Sequence, residues 1–272
     1  MALKVAALQI TSGPSTADNL AMLTPLIAEA AAAGAQFIAL PENCVRMVQG
    51  RSAQLAEAYT PENHPAIRAF AALAKQHKVW ILAGSIAVLV EPERFANRCY
   101  LFAPTGAVAA TYDKIHLFDV QLANGETYRE SALFTAGDKA VVVETDFGKL
   151  GLTICYDIRF PHLYRALAKA GAAIITVPAA FTVPTGQAHW ESLLRARAIE
   201  TGAFIIAPAQ CGTHDAKRKT YGHAMIISPW GEVLAMAGAE PTILYASLDL
   251  AKVQEARQMI PSLQHDRPFT GP

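Results

Sequence analysis

Three polar stretches, each set against an apolar run, hold the residue types that could open an amide: Leu40-Pro41-Glu42-Asn43, Tyr112-Asp113-Lys114-Ile115-His116 and Gly151-Leu152-Thr153-Ile154-Cys155-Tyr156-Asp157. A thiolate attacks carbonyl carbon, a carboxylate moves protons, and an ammonium steadies an oxyanion, so Glu42, Lys114 and Cys155 make a sufficient kit for covalent hydrolysis. The four cysteines, Cys44, Cys99, Cys155 and Cys211, show no close pair and no ligand-like spacing to His. Neither a metal site nor a disulfide framework is expected, and any one of them alone reads as a small buried hydrophobe. Context selects Cys155. It closes an apolar strand, and Pro161 marks the first turn of the helix that follows. Such a turn aims the sulfur outward beside a positive helix end, which favours thiolate over thiol. The backbone amide of Tyr156 is then a natural second oxyanion donor.

These residues must be positioned by alternating strands and helices. Strand-like runs at Lys4–Ile10, Phe37–Leu40 and Val79–Gly84 alternate with helical segments at Asp18–Ala33 and His64–His77. A second set has strands at Lys149–Cys155, Ala173–Val177 and Ala203–Ala207 around helices at Phe160–Ala170 and His189–Glu200. Gly34 lies seven residues before Pro41, and Gly171 seven before Pro178. Each Gly closes a helix and each Pro ends a strand, so the chain reads as two related halves. The pattern fits an α/β protein, either a four-layer α-β-β-α sandwich or a doubly wound sheet. Between the halves, Asn97–Thr111 reads as two strands around a turn at Pro104-Thr105-Gly106, and Phe118–Gly137 as a long, functional loop. A helix from Asp249 ends at Ile260-Pro261. The polar tail over 262–272 reads either as frayed or as packed on a partner subunit.

The chain has 272 residues, 52% of them apolar, which is enough for one large domain. Its 23 basic residues balance 23 acidic ones, and Lys217-Arg218-Lys219 reads as a solvated loop. The footprint of a nucleic-acid binder is absent. No leader or long apolar segment is apparent, so a cytoplasmic protein without membrane contact is expected. No phosphate loop is present at Thr182-Val183-Pro184-Thr185-Gly186, and no Gly-rich turn follows the first strand at Ile10-Thr11-Ser12-Gly13-Pro14. Among eight histidines, His116, His189 and His223 read as lining or bracing a pocket. His64, His77, His162, His214 and His265 read as surface or capping residues, with His64 and His189 each opening a helix.

The three motifs, in this order and over nearly the whole chain from Lys4 to about Arg267, resemble the nitrilase (carbon–nitrogen hydrolase) superfamily. That resemblance decides for the four-layer sandwich and implies a Glu42-Lys114-Cys155 catalytic set that needs no cofactor and no metal. It implies that Glu42 is base toward the thiol and then acid toward the leaving amine, a task that requires a poised carboxyl group rather than a permanently ionised one. Glu130, in Tyr128-Arg129-Glu130-Ser131, matches a second glutamate that holds the lysine. The run Lys-Ile-His-Leu-Phe-Asp from Lys114, together with Ala180–Trp190, resembles the amidase branch and places Tyr156, Arg159, Phe181, Thr182, Thr185 and His189 at the substrate. Arg159 reads either as a grip on a substrate carboxylate or as half of a structural salt bridge. Amidases of dicarboxylic-acid monoamides carry a matching arginine.

Two carboxylate-bearing amides fit this branch: alpha-ketoglutaramate and its peptide-extended form, deaminated glutathione. Leu194–Thr201, Tyr221–Met225 and Gln264–Pro268 favour the longer one, while Gln121-Leu122-Ala123-Asn124-Gly125-Glu126 departs from the amidase pattern and bears on pocket size. An N-carbamoyl amino acid hydrolase or an N-acyltransferase would use the same three residues, and a non-catalytic binding protein could keep the fold. The resemblance also implies a homodimer or higher homo-oligomer, built on the helix from His189 and the tail.

Overall fold

The computed structural model describes residues 2–122, 125–214 and 218–271. In chain order the first half comprises β1 (Leu3–Ile10), α1 (Thr16–Ala32), β2 (Phe37–Ala39), α2 (Arg51–Ala56), α3 (Pro65–His77), β3 (Trp80–Glu91), β4 (Arg94–Phe102) and β5 (Val108–Asp113). A small hairpin of β6 (Asp119–Gln121) and β7 (Thr127–Arg129) follows, and then β8 (Val141–Thr145), β9 (Gly148–Leu152), α4 (Pro161–Lys169), β10 (Ile174–Thr176), α5 (Val183–Thr201) and β11 (Phe204–Ala207). The chain ends with β12 (Ala209–Thr213), β13 (Lys219–Tyr221), β14 (Met225–Ile227), β15 (Val233–Met236), β16 (Thr242–Leu248) and α6 (Ala251–Met259).

Alternation along β1 explains the layering. Leu3, Val5 and Ala7 join one apolar core with Leu150 and Leu152 of β9, whereas Ala6, Leu8 and Ile10 join another with Leu23 and Ile27 of α1 and Phe70 of α3. A strand apolar on both faces must lie between two covering layers. The first sheet runs β13-β12-β1-β2-β3-β4-β5, and the second β15-β14-β11-β10-β9-β8. On the far side of β9, a Cβ at Gly151 would lie 3.3 Å from Leu167 of α4. The result is a four-layer α-β-β-α sandwich.

The two halves repeat one pattern. Parallel β1-β2-β3 continues into antiparallel β4, with antiparallel β16 on the other flank of β1. Parallel β9-β10-β11 continues into antiparallel β14, with antiparallel β8 flanking β9. Gly34 (φ 89°) and Gly171 (φ 97°) follow corresponding helices in the left-handed region, and His64 caps α3 by accepting from the Ala66 amide at 3.2 Å.

Several elements differ from the sequence reading. α5 begins at Val183, so His189 lies inside it rather than opening it. Pro184 occupies the first turn, where its missing donor costs nothing, and Gly186 is a packing glycine whose Cβ would meet the Tyr221 ring at 2.2 Å. β9 stops at Leu152, and Cys155 opens a short 3₁₀ turn over Cys155–Arg159 instead of ending the strand. The 118–137 stretch contains the β6–β7 hairpin and a 3₁₀ turn at Glu130–Ala132. His214 is buried, its ring between Ser12 O (2.9 Å) and Thr220 Oγ1 (2.7 Å), not at the surface. In the tail, Asp266 pairs with Arg165 and Lys169 of α4. Ala123, Asn124 and Lys217, which carried parts of the loop readings, lie outside the described residues. No described helix is long and apolar enough to cross a membrane.

Candidate active site

Glu42 leaves the end of β2 through a turn that is held on several sides. Asn43 takes a left-handed φ of 53°, its amide donates to Ser85 Oγ at 2.9 Å, and Gln210 Nε2 donates to the Glu42 carbonyl at 3.0 Å. Gly84 makes the close approach possible. A Cβ there would lie 1.9 Å from Leu40 O and 2.4 Å from Pro178 Cβ, the two proline turns of the two halves.

The carboxylate of Glu42 is buried and Lys114 stands beside it. Lys114 Nζ donates to Glu42 Oε1 at 2.8 Å and to Glu130 Oε2 at 2.9 Å. The Phe118 amide donates to Glu130 Oε2 at 2.7 Å, so the loop after β5 is tied to the 3₁₀ turn that carries Glu130. Glu42 Oε2 accepts from the Ala180 amide at 3.0 Å. Asn97 Nδ2 reaches both Glu42 Oε1 and Glu130 Oε1, each at 3.0 Å.

Cys155 is brought to the same place by a strained turn. Its φ of 47° is left-handed and non-glycine, a conformation kept only where surroundings enforce it. The Cys155 amide donates to Pro178 O at 2.9 Å. Asp157, fully buried, accepts from the Ile154 amide (2.8 Å), from Tyr112 Oη (2.7 Å) and from the His116 amide (3.1 Å), and its Oδ1 lies 2.7 Å from His116 Nδ1. One carboxylate thus locks the Cys155 turn to the segment bearing Lys114. The sequence reading assigned neither Asp157 nor Asn97 a role. Their signal was a polar residue inside an otherwise apolar motif.

The electrostatics correct two expectations. Burial pushes the Glu42 carboxyl up, but the Lys114 charge and the hydrogen bonds from Lys114 and Cys155 outweigh it, and the group lies below its ordinary value. It rests as carboxylate, not poised between states. Burial, followed by the Glu42 charge, pushes the Cys155 thiol well up, against weaker downward pulls from Lys114 and the Ala180 amide. The resting sulfur therefore keeps its proton, because Lys114 is already engaged by two carboxylates. Burial works against the Lys114 ammonium, but Glu130, Glu42 and Cys155 hold it well above its ordinary value.

These groups lie on the wall of a cavity of about 450 Å³, which Tyr156, Phe181, Thr182 and Thr185 also line. Arg159 and His189 do not line it. Arg159 sits behind the wall, its guanidinium 5.8 Å from the Tyr156 ring, 5.7 Å from the Phe181 ring and 3.3 Å from His189 Nδ1. Among the described residues no carboxylate pairs with it, so the salt-bridge alternative is not realised. Arg218, expected in a solvated loop, lines the cavity with its charge 5.8 Å from the Tyr128 ring.

The sequence profile of the carbon–nitrogen hydrolase family matches residues 4–258. The chain belongs to that family. Over 264 residues it is 45% identical to the deaminated glutathione amidase of Synechocystis sp., covering 96% of each chain. It is 35% identical to the omega-amidase of Mus musculus, covering 97% of this chain and 95% of that one. The crystal structure of the C. elegans NitFhit protein superposes with a TM-score of 0.89 at 33% identity, covering 98% of this chain and 65% of that longer one. As a carbon–nitrogen hydrolase this chain has the family's fold and its amidase class of reaction.

Proposed function

We propose that this enzyme hydrolyses a carboxylate-bearing amide by thioester catalysis, with Cys155 as nucleophile, Glu42 as general base and acid, and Lys114 as oxyanion donor. The observation that carries the reading is the buried Glu42–Lys114 pair, joined by half-buried Glu130, with Cys155 on the wall of the same cavity. Glu42 takes the thiol proton as sulfur adds to the carbonyl carbon, and the oxyanion is held by Lys114 and the Tyr156 amide. An ammonium has three donors. Lys114 spends them on Glu42 Oε1 and on both Glu130 oxygens, and the longest of these bonds, 3.2 Å to Glu130 Oε1, is the one the oxyanion would replace. Glu42 then gives its proton to the departing nitrogen, the C–N bond breaks, and a thioester remains. Water, deprotonated by Glu42, attacks that thioester, and the thiol leaves with the proton returned by Glu42. Glu130 holds Lys114.

The substrate we propose is deaminated glutathione, giving alpha-ketoglutarate and Cys-Gly. A relative of that name at 45% identity supports it, as does a cavity of about 450 Å³ with Arg218 on its wall. Tyr156, Phe181, Thr182 and Thr185 would contact the acyl chain, and Arg159, steadied by His189, would attract its carboxylate. We further propose a single hydrolase domain that works in the cytoplasm as a homodimer. The exposed Ile199, against the Trp230–Gly231 turn, supports a covered face on α5, and sedimentation tests it.

The deciding assay measures alpha-ketoglutarate release from deaminated glutathione and from alpha-ketoglutaramate, with Cys155→Ala as control. Preference for deaminated glutathione is expected. Preference for alpha-ketoglutaramate would make the enzyme an omega-amidase, and no Cys155-dependent product from either would overturn the substrate assignment.

A further inference from the structure

Asn97 is a buried polar side chain in β4, a strand otherwise dominated by Phe95, Ala96, Cys99, Tyr100, Leu101 and Phe102. Its amide nitrogen spends both hydrogens on carboxylates, one on Glu42 Oε1 and one on Glu130 Oε1, each at 3.0 Å. Its main-chain carbonyl accepts from the Lys114 amide at 3.0 Å. Its own Oδ1 is buried with no hydrogen-bond partner among the described residues. Buried oxygens are rarely left so, and an exception at a reaction centre points to a use for the opposite end of the group.

A count of lone pairs gives that use. Each carboxylate oxygen accepts about two hydrogen bonds. Glu42 Oε1 is filled by Lys114 and Asn97, while Oε2 takes the Ala180 amide. One acceptor site is therefore left on Oε2, the oxygen bonded to the Ala180 amide that also bonds the Cys155 sulfur, and the thiol hydrogen-bonds to this carboxyl group. Glu42 and Glu130 also repel each other across Lys114, and a neutral donor shared between them opposes that repulsion without adding a charge.

We propose that Asn97 is a positioning residue that fixes the rotation of Glu42, so that Oε2 alone receives the Cys155 proton, and keeps both carboxylates on Lys114. This rests on the reading of Glu42 as base and Cys155 as nucleophile. Asn97 acts through Glu42 and takes no part in bond making.

The test compares wild type with Asn97→Leu, close in size but without donors, and Asn97→Ser, which is smaller and guards against failure to fold. Turnover, KM, the pH profile of kcat/KM and the melting temperature are measured, along with the rate of Cys155 alkylation by iodoacetamide against pH. On the order of a tenfold to hundredfold fall in kcat is expected, with KM nearly unchanged. The acid limb should move to higher pH, since Glu42 loses a hydrogen bond that favours its ionised form. The alkylation profile should shift in the same direction. Wild-type kcat and an unmoved acid limb in folded variants, or a loss that only follows the unfolded fraction, would overturn the role of Asn97. Hydrolysis by wild type that persists in Cys155→Ala would overturn the reading beneath it, and this proposal with it.

Discussion

The halves have the same strand order and the same proline turns, yet they end corresponding strands differently. In the first half β1 runs unbroken to Ile10, whose neighbour across the sheet is Gln210 of β12, and the proline turn after β2 carries Glu42. In the second half β9 stops at Leu152, the chain bends at Cys155 with φ 47°, and the proline turn after β10 carries Ala179 and Ala180. One half supplies the Glu42 carboxylate from a turn whose left-handed residue is Asn43, a type that tolerates that conformation. The other supplies the thiol on a strained turn, and its proline turn contributes only main-chain groups, the Pro178 carbonyl to Cys155 and the Ala180 amide to Glu42. Repetition of a unit builds the scaffold, and local departures from the repeat build the chemistry.

The halves separate most sharply at Glu42, which we propose as the general base. Glu42→Gln should keep the fold and lower turnover on the order of a thousandfold, about 4 kcal/mol of barrier, because the amide can neither take nor return the thiol proton. Steady-state kinetics beside circular dichroism will check it. Gly84→Ala attacks the point where both proline turns meet. Its methyl group would overlap Leu40 O and Pro178, and a loss of about 3 kcal/mol of stability is expected in chemical unfolding.

Acid should sense the first half more than the second. Burial holds the His64 imidazole at about 4, below its ordinary 6.5, whereas the equivalent start of α5 is Thr182, with no proton to gain. The unfolded chain then binds more protons than the folded one between those values. The His64 contribution is whole above pH 6.5 and is lost as pH falls toward 4, about 3 kcal/mol. His64→Asn, which can still cap, should flatten that part of the stability profile in urea unfolding. The smallest effect concerns the bend itself. Both Cys155→Ala and Cys155→Gly should be inactive, but the glycine variant should be more stable by about 1 kcal/mol, since glycine adopts the positive φ without a Cβ penalty. Equal melting curves would remove the strain from the account.

Much of this was legible in the sequence because apolar period and turn residues carry it. β1, β2, the helix after His64 and the glycine–proline spacing of the two halves follow from local patterns, and Glu42, Lys114, Glu130 and Cys155 follow from motifs. What was not legible depends on long-range proximity. Asn97 gains meaning only when β4 brings it to two carboxylates far away in the chain. The resting thiol follows from how many anions share Lys114, a number that no single motif contains. The start of α5 was obscured because Pro184 and Gly186 look like breakers until the Tyr221 ring that packs on Gly186 is in place.

The most direct test of the central claim is a rapid acid quench of enzyme in excess over deaminated glutathione, followed by peptide mass mapping, with Cys155→Ala alongside. The account predicts the ketoglutaryl group on the peptide bearing Cys155 in wild type, and neither adduct nor product from the variant. An acyl group on another residue, or product formed by Cys155→Ala at the wild-type rate, would contradict it.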